Sequence, residues 1–362
     1  MIIIITKFLK YYATFDLMCF FHSNILDANW VLIHNELHQS LSDTNDTIDW
    51  RYMNKAVVTG GAGFIGSHLT EELVNHDFSV TVIDDLYSGK ISNIEPLLST
   101  NKMTFIQESI TNLSALNRIF SDADYVFHLA ALGSVPQSVE QPEAYHEINI
   151  NGTFNVLLAA RQNKVKKVIY TSSAAVYGDD PELPKREDML PCTISPYAVT
   201  KLTGEYYCNA FHAAYGLPTV CLRFFNVFGP RQDPNSQYAA VIPNFIKRIL
   251  EGNPPIIYGD GKQTRDFTYV SDVVQAMITV AENDATGIFN ISRGETITIN
   301  DLADTIIRLG GADIRPEYRE PRPGDIIHSY ADITKAKSFG FNPRYTLEEG
   351  LSRMIKEFTS KS

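Results

Sequence analysis

The chain has few cysteines and no excess of positive charge, and both shortages narrow its possible functions. Its four cysteines, at positions 19, 192, 208 and 221, lack the paired spacing of zinc ligands or of a disulfide framework. We therefore predict no metal site and expect a reducing, cytoplasmic environment. The net charge is −11 and the isoelectric point is near 5.3. That balance argues against nucleic acid and anionic membranes as partners.

Long apolar runs are also missing. The stretches 2–5 and 17–26 are apolar, but nearby charges limit them: Lys7, Lys10, Asp16 and Asp27. A membrane-spanning helix needs about 20 consecutive apolar residues, and no small-residue cleavage site marks a secretory signal. We predict no membrane span. We expect residues 1–52 to be an N-terminal extension that is disordered, an appended arm, or an upstream reading of the start codon.

A glycine-rich turn between a strand and a helix is what the sequence does contain. Residues 54–59 are typical of a short buried strand, Gly60, Gly63 and Gly66 follow, and residues 67–74 continue as an amphipathic helix. Glycines at this spacing let the backbone turn tightly, approach a pyrophosphate and direct helix N-terminal amides at it. The sequence therefore predicts a dinucleotide site.

An acidic residue in register with the glycine turn indicates which dinucleotide binds. Asp84 follows a second predicted strand, 78–83, and lies 21 residues beyond Gly63. A carboxylate at this distance favours ribose hydroxyls. Because it would repel a 2′-phosphate, we predict that the cofactor is NAD rather than NADP.

Tyr197 and Lys201 form a candidate catalytic pair. Residues four apart on a helix share a face, so the ammonium can approach the phenol. A phenol titrates near ~10, and one ammonium at ~4 Å in an effective dielectric of ~20 favours the phenolate by ~4 kcal/mol. Pro196 suits a helix start directly before Tyr197. We therefore predict that Tyr197 acts as a base with its pKa lowered by Lys201.

Strand and helix patterns alternate along the rest of the chain. Further strands are predicted at 103–107, 125–129, 167–171 and 219–224, and helices include 145–163 and 196–215. This alternation predicts an α/β fold with a doubly wound parallel Rossmann sheet. After residue 225 the pattern loosens into shorter elements. We predict an NAD-binding domain at 53–225 and a smaller C-terminal substrate-binding lobe at 226–362, with segments returning to the first domain.

On these motifs the chain resembles the extended short-chain dehydrogenase/reductase family, and within it the UDP-sugar 4-epimerases, especially those that handle N-acetylated hexosamines. The likeness covers residues 53 to about 358. The most specific motifs are residues 59–66, 128–131, 149–153, 170–178, 197–201, 224–231 and 322–325.

The resemblance implies roles for the catalytic and cofactor residues. Ser173 is expected to bond the 4-oxygen of the sugar, Tyr197 to remove its proton, and Lys201 to hold Tyr197 and the nicotinamide ribose. The implied NAD contacts are Gly60, Gly63, Phe64, Ile65, Gly66, Asp84, Ser109, Ile110, Leu129, Ala130, Ala131, Asn149, Tyr197, Lys201 and Phe224. Ser109 stands where the family usually has Asp at the adenine edge, and a hydroxyl can still accept from the adenine amine.

The resemblance also implies a UDP-sugar site. Asn226, Arg265 and Arg322 would bind the diphosphate, Asp325 the uridine, and Tyr258 with Ala240 and Val241 the uracil. Ser134 and Ser173 would contact the sugar. Ser329 falls where members that accept only non-acetylated sugars carry a bulky aromatic, so its small side chain implies room for an acetamido group. Gln137, where related acetamido-sugar enzymes often have Arg, makes the hexose preference less secure.

The implied reaction is NAD-dependent 4-epimerisation of a UDP-hexose, UDP-GlcNAc/UDP-GalNAc before others, through a transient 4-keto sugar. A 4,6-dehydratase needs an acid and a base after the serine, where this chain has Ala174 and Ala175. UDP-glucuronate 4-epimerase or decarboxylase, UDP-glucose 4-epimerase and a non-catalytic NAD-sensing scaffold stay open as alternatives. Helices 145–163 and 196–215 pair subunits in the family, so a homodimer is expected.

Overall fold

A computed structural model describes residues 54–233, 240–321 and 327–361. The described residues form a central parallel sheet of seven strands. Its strands are β1 Lys55–Thr59, β2 Ser79–Asp84, β3 Met103–Gln107, β4 Tyr125–His128, β5 Lys167–Ser173, β6 Thr219–Phe224 and β11 Gly287–Ile291. The predicted α/β fold with a doubly wound parallel sheet is confirmed.

Strand order in the sheet is β11-β6-β5-β4-β1-β2-β3. The direction of winding reverses between β1 and β4, which pair along residues 56–59 and 125–128. Ligands of open α/β sheets bind beyond the carboxyl ends of the strands at such a reversal. The glycine turn that follows β1 and the loop that follows β4 are therefore brought together at this edge.

Helices cover both faces of the sheet. In chain order they are α1 Phe64–Asn75, α2 Leu113–Ile119, α3 Val135–Glu140, α4 Pro142–Tyr145, α5 Gly152–Gln162, α6 Pro196–Tyr215, α7 Val241–Leu250, α8 Val270–Ala281, α9 Ile299–Leu309, α10 Thr334–Lys337 and α11 Leu347–Lys361. A π-helical segment, His146–Asn151, joins α4 to α5. The helix predicted at 145–163 is thus one continuous helical stretch with a wider turn inside it.

Helix α6 begins and ends where the sequence predicts. The Ser195 side chain accepts the backbone N–H of Ala198 at 3.2 Å, and Pro196 occupies the first turn. Gly216 ends the helix with φ of 69°, a left-handed conformation that glycine adopts without strain. Because the two ends are fixed by local chemistry, Tyr197 lies in the first turn and Lys201 one turn later.

Short strands and helices follow β6. Three two-stranded pairings lie outside the main sheet: β7 Val227–Phe228 with β10 Thr268–Tyr269, β9 Thr264–Arg265 with β12 Ile297–Thr298, and β8 Ile256–Tyr258 with β13 Glu317–Arg319. Helices α7, α8, α9 and α11 contribute apolar faces to one large buried cluster that also includes α1 and the sheet. None of the helices among the described residues is long and apolar enough to cross a membrane.

Candidate active site

A cleft of about 750 Å³ opens at the carboxyl edge of the sheet. Its walls come from the glycine turn, from the loops after β2, β4 and β5, from α6, and from residues beyond β6. Predicted site residues that line it are Gly60, Gly63, Phe64, Ile65, Gly66, Asp84, Ile110, Leu129, Ala130, Ala131, Ser173, Tyr197, Lys201, Phe224, Asn226, Arg265 and Ser329.

The glycine turn leaves no room for larger side chains. A Cβ on Gly66 would lie 2.1 Å from the carbonyl oxygen of Gly60, and a Cβ on Gly60 would lie 2.7 Å from the backbone nitrogen of Ala130. Gly60 also has φ of 72°, which favours glycine. The turn is therefore packed against the loop after β4, with helix α1 starting at once behind it. This close backbone cradle fits the pyrophosphate of a dinucleotide.

Asp84 lies at the end of β2 and is buried. Its carboxylate accepts the backbone N–H of Ala62 at 3.0 Å and that of Leu86 at 2.9 Å, so it connects the glycine turn to the next loop. Burial raises the pKa of Asp84, whereas the two backbone hydrogen bonds oppose that shift. A carboxylate held at this point fits a ribose diol and disfavours a 2′-phosphate.

His128 braces the loop that faces the glycine turn. Its Nδ1 lies 2.8 Å from Oγ1 of Thr59 and its Nε2 lies 2.9 Å from Oγ1 of Thr153. Thr153 Oγ1 donates to the carbonyl of Asn149, so His128 Nε2 donates to Thr153 and Nδ1 accepts from Thr59. Burial, with Lys201 nearby, lowers the pKa of His128 to about 3. The ring is therefore neutral near pH 7.

Ser173 and Tyr197 meet at the centre of the cleft. The Ser173 hydroxyl faces the phenol, and this neighbour opposes the rise that burial causes in the pKa of Tyr197. Ser173 Oγ also accepts the backbone N–H of Ala175 at 3.1 Å. The Tyr197 ring contacts Tyr145 edge-on, with the centroids 6.4 Å apart. Two hydroxyls thus lie side by side on rigid elements, where one substrate oxygen can contact both.

Lys201 is placed differently from the sequence-based expectation. Its Nζ donates to the carbonyl oxygen of Thr171 at 2.9 Å and lies 6.0 Å from the centroid of the Tyr197 ring. Burial lowers the pKa of Lys201 to about 8, and the pKa of Tyr197 is raised rather than lowered. The predicted lowering of the Tyr197 pKa by Lys201 is therefore not seen in the protein alone: burial raises that pKa, and the ammonium is hydrogen-bonded to the backbone of β5.

Residues beyond β6 close the other side of the cleft. Asn226 has φ of 33°, and its Nδ2 donates to the carbonyl of Asp266 at 3.0 Å. Ser329 lies on a segment whose backbone N–H donates to Thr264 at 3.2 Å. Asn226 and Arg265 also line an adjoining cavity of about 280 Å³. That second cavity contains the three predicted uracil contacts, Ala240, Val241 and Tyr258.

Three predicted contacts lie outside the cleft lining. Asn149 is buried, and its side chain binds both the N–H and the carbonyl of Leu132. The Ser134 hydroxyl caps helix α3 by accepting the N–H of Gln137 at 3.2 Å. The Ser109 hydroxyl is bonded to that of Thr111 at 2.9 Å. In this structure all three brace the loops that line the cleft. Arg322 and Asp325 lie outside the described residues.

Several lining residues were missed by the sequence reasoning. Lys185 is 3% exposed and lines the cleft, as do Tyr177 and His328. Its backbone pairs with the segment 330–332: its N–H donates to the Tyr330 carbonyl at 2.7 Å, and its carbonyl accepts from the Asp332 N–H at 2.9 Å. Lys185 lies in a loop between β5 and α6 with no repeated spacing, so the sequence contains no periodic signal for it.

A sequence model of the "NAD dependent epimerase/dehydratase family" matches residues 56–292. The chain belongs to this family. The resemblance to the extended short-chain dehydrogenases/reductases and the prediction of an NAD-dependent enzyme are thereby confirmed. The glycine cradle and Asp84 fit that cofactor.

Relatives of the chain carry related names. A UDP-N-acetylglucosamine 4-epimerase from Methanobrevibacter ruminantium M1, solved in complex with UDP-N-acetylmuramic acid, is 46% identical; the match covers 86% of this chain and 99% of that one, with a TM-score of 0.83. A putative UDP-glucose 4-epimerase of Methanocaldococcus jannaschii is 39% identical, covering 83% and 96% of the two chains. The UDP-glucuronic acid 4-epimerase of Bacillus cereus, solved with UDP-glucuronic acid and NAD, is 34% identical over 85% and 100%, with a TM-score of 0.79.

Proposed function

We propose that the protein epimerises UDP-N-acetylhexosamines at C4, interconverting UDP-GlcNAc and UDP-GalNAc. The observation that carries the sugar preference is Ser329, which lines the cleft together with the Ser173–Tyr197 pair. Its small side chain leaves space where an aromatic ring would exclude an acetamido group. The similarity to the UDP-N-acetylglucosamine 4-epimerase of M. ruminantium supports the same choice.

The chain's own residues would handle the proton of the 4-hydroxyl. Tyr197, whose phenol faces the Ser173 hydroxyl, accepts that proton while Ser173 orients the oxygen. The Lys201 ammonium donates to the Thr171 carbonyl and so places a positive charge near the phenol. When bound, NAD supplies the reversible hydride acceptor that makes a 4-keto sugar accessible. Turning over this sugar exposes its other face, so the hexose must be held loosely and the nucleotide firmly.

Binding of the nucleotide part is assigned to the residues beyond β6. Arg265 and Asn226 line both the main cleft and the adjoining cavity, so a diphosphate could span the two. A guanidinium fork suits phosphate oxygens. Tyr258, Ala240 and Val241 would frame the uracil in the second cavity, and a flat ring suits stacking. Arg322 and Asp325 are proposed from the resemblance alone.

Epimerisation or decarboxylation of UDP-glucuronate is the second candidate, and Lys185 favours it. A buried ammonium at the sugar end of the cleft could offset the charge of a uronate carboxylate. Its Nζ donates to the backbone carbonyl of Asp180 and lies 3.6 Å from Oδ1 of the same residue. That local carboxylate already compensates the lysine, so the uncharged acetamido sugar stays the first choice. UDP-glucose, the remaining alternative, would fit the same cleft and would leave the space beside Ser329 empty.

Separate incubation with UDP-GlcNAc, UDP-glucose and UDP-glucuronate tests the assignment. The product sugars are released and identified by chromatography and mass analysis. We expect GalNAc from UDP-GlcNAc with the highest kcat/KM of the three. Product from the uronate alone would overturn the acetamido assignment, and release of a pentose with carbon dioxide would identify a decarboxylase.

Assembly, location and domain division are further proposals. Val199 and Tyr206 are exposed apolar side chains seven residues apart on one face of α6, which supports a homodimer built on this helix and the helical stretch from α4 to α5. The dispersed cysteines support a cytoplasmic location. We propose that the chain divides into an N-terminal extension at 1–52, an NAD-binding domain at 53–225 and a substrate-binding lobe at 226–362. Strand β11 is the segment of the lobe that returns to the main sheet.

A further inference from the structure

A buried ion pair lies behind the Ser173–Tyr197 pair. Glu205 is 1% exposed and Arg223 is 2% exposed. The guanidinium donates from Nε to Oε1 at 2.8 Å and from Nη2 to Oε2 at 2.7 Å, and the Ser172 hydroxyl donates to the same Oε1. A bidentate pair of this kind fixes direction as well as distance. The proposed reaction uses none of these three side chains.

Helix α6 contacts the end of β5 through one face. Tyr197, Lys201 and Glu205 follow each other at four-residue intervals, so they lie on the same side of the helix. Each meets one of the last three residues of β5, 171–173. The ammonium donates to the Thr171 carbonyl, the carboxylate accepts from the Ser172 hydroxyl, and the phenol faces the Ser173 hydroxyl. Of these three contacts, the one made by Glu205 lies farthest along α6 from Tyr197.

The far side of the ion pair is also braced. The guanidinium carbon of Arg223 lies 4.7 Å from the centroid of the Tyr177 ring. The Tyr177 hydroxyl donates to Oδ1 of Asn290 at 2.7 Å, and Nδ2 of Asn290 donates to the carbonyl of Lys185 at 2.9 Å. Tyr177 and Lys185 both line the cleft. A chain of buried contacts therefore extends from α6, through β6 and β11, to the proposed sugar end.

We propose that Glu205 is a positioning residue for the reaction: with Ser172 and Arg223 it fixes the height and rotation of α6, so that the Tyr197 phenol faces the Ser173 hydroxyl. The inference rests on the proposed function, because it assigns the geometry of the same proton transfer. A displacement of about 1 Å at reacting groups can lower a rate about 10²-fold. Loss of the Glu205 contacts should therefore lower kcat more than it lowers the affinity for NAD or UDP.

Ser172→Ala tests the proposal in the full chain. It removes the link to β5 and leaves the Glu205–Arg223 pair in place. We expect kcat to fall by about tenfold or more, with NAD content and the Kd for UDP within twofold of wild type. The control is Thr219→Val, which removes a 2.9 Å hydrogen bond from Thr219 Oγ1 to the Cys208 carbonyl of the same helix. Its kcat should match wild type.

Glu205→Gln supplies a second measurement, since it keeps the shape of the side chain and removes its charge. We expect a loss of kcat with an unchanged Kd for UDP, and a displaced pH profile of kcat/KM. Wild-type kcat in Ser172→Ala, or equal losses in Ser172→Ala and Thr219→Val, would overturn the positioning role. A wild-type protein that turns over no UDP-sugar would instead overturn the proposed function, so the two failures are distinguishable.

Discussion

Lys201 donates a hydrogen bond of 2.9 Å to the backbone carbonyl of Thr171, and its ammonium lies 6.0 Å from the centroid of the Tyr197 ring. The lysine is thus attached to the strand that ends in Ser173. Burial lowers the pKa of Lys201 to about 8 and raises the pKa of Tyr197. The protein alone therefore keeps the phenol protonated near pH 7, so the proposed proton acceptor would need the positive charge that bound NAD would add.

Replacing Tyr197 by Phe removes the proposed proton acceptor while keeping the ring against Tyr145. We expect turnover to fall by about 10²- to 10⁴-fold, with bound NAD unchanged when it is released and quantified by chromatography. Tyr206→Phe is the matched control, since Tyr206 is 59% exposed on the same helix. Equal turnover in the two variants would remove Tyr197 from the catalytic role.

Gly66→Ala should prevent the glycine turn from forming. Its Cβ would lie 2.1 Å from the Gly60 carbonyl oxygen, so the backbone must move. We expect NAD affinity to fall by at least about tenfold and the free energy of unfolding by about 1–3 kcal/mol. Isothermal titration and urea unfolding measure the two effects. Gly133→Ala is the stability control, because a Cβ there meets no described atom within 4 Å; matching losses would argue against the steric account.

Ser329→Tyr should change the sugar preference. The added ring occupies the space assigned to the acetamido group, so kcat/KM for UDP-GlcNAc should fall by about 10²-fold, equivalent to about 3 kcal/mol. The value for UDP-glucose should stay within a few fold of wild type. Tyr330→Phe, one residue along the same segment, is the control. If both sugars lose activity equally, Ser329 does not discriminate between them.

Acid should destabilise the fold through His128. The pKa of His128 is about 3 in the folded chain against the ordinary 6.5 of a histidine, so the unfolded chain binds more protons between these values. Stability is therefore present above pH 6.5 and is lost as the pH falls towards 3, by about 2 kcal/mol at pH 5. Urea midpoints measured between pH 4.5 and 7.5 should decline.

A matched comparison isolates this histidine. His128→Gln, which retains a donor and an acceptor for Thr59 and Thr153, should flatten the decline. His76→Gln should leave the slope unchanged, because His76 is exposed. A slope unaffected by the substitution at 128 would assign the acid loss to other groups.

Local chemistry explains which elements could be predicted from the sequence. The ends of α6 follow from a serine cap, a proline in the first turn and a terminal glycine, and the glycine turn follows from steric crowding at Gly66. A segment that returns to the NAD-binding half is predicted from the sequence, but its position, strand β11, is not, because its five residues lie far along the chain from the other strands of the sheet. Its partner β6 is fixed by tertiary pairing along 220–224, which no local pattern contains.

Site residues could be predicted from the sequence where their role depends on neighbours in the chain, and could not where it depends on a distant segment. Residues of the glycine turn and the loop after β4 line the cleft because the strand order brings them together. The carbonyl that accepts from Lys201 belongs to a distant strand, so spacing within one helix could not reveal it. The role of Asn149 could not be predicted for the same reason. Its side-chain amide binds the backbone of Leu132, seventeen residues away, and does not line the cleft.

Strand β11 is synthesised long after its partner β6, and this order affects the nascent chain. Strand β6 is complete at residue 224, but its outer neighbour ends only at residue 291. A nascent chain that has emerged up to the intervening segments exposes an unpaired strand edge, the feature through which chains aggregate or exchange segments. Strand β11, which becomes the edge strand in its turn, covers β6 only once residues 287–291 are made, so fragments truncated before β11 should be recovered as insoluble material.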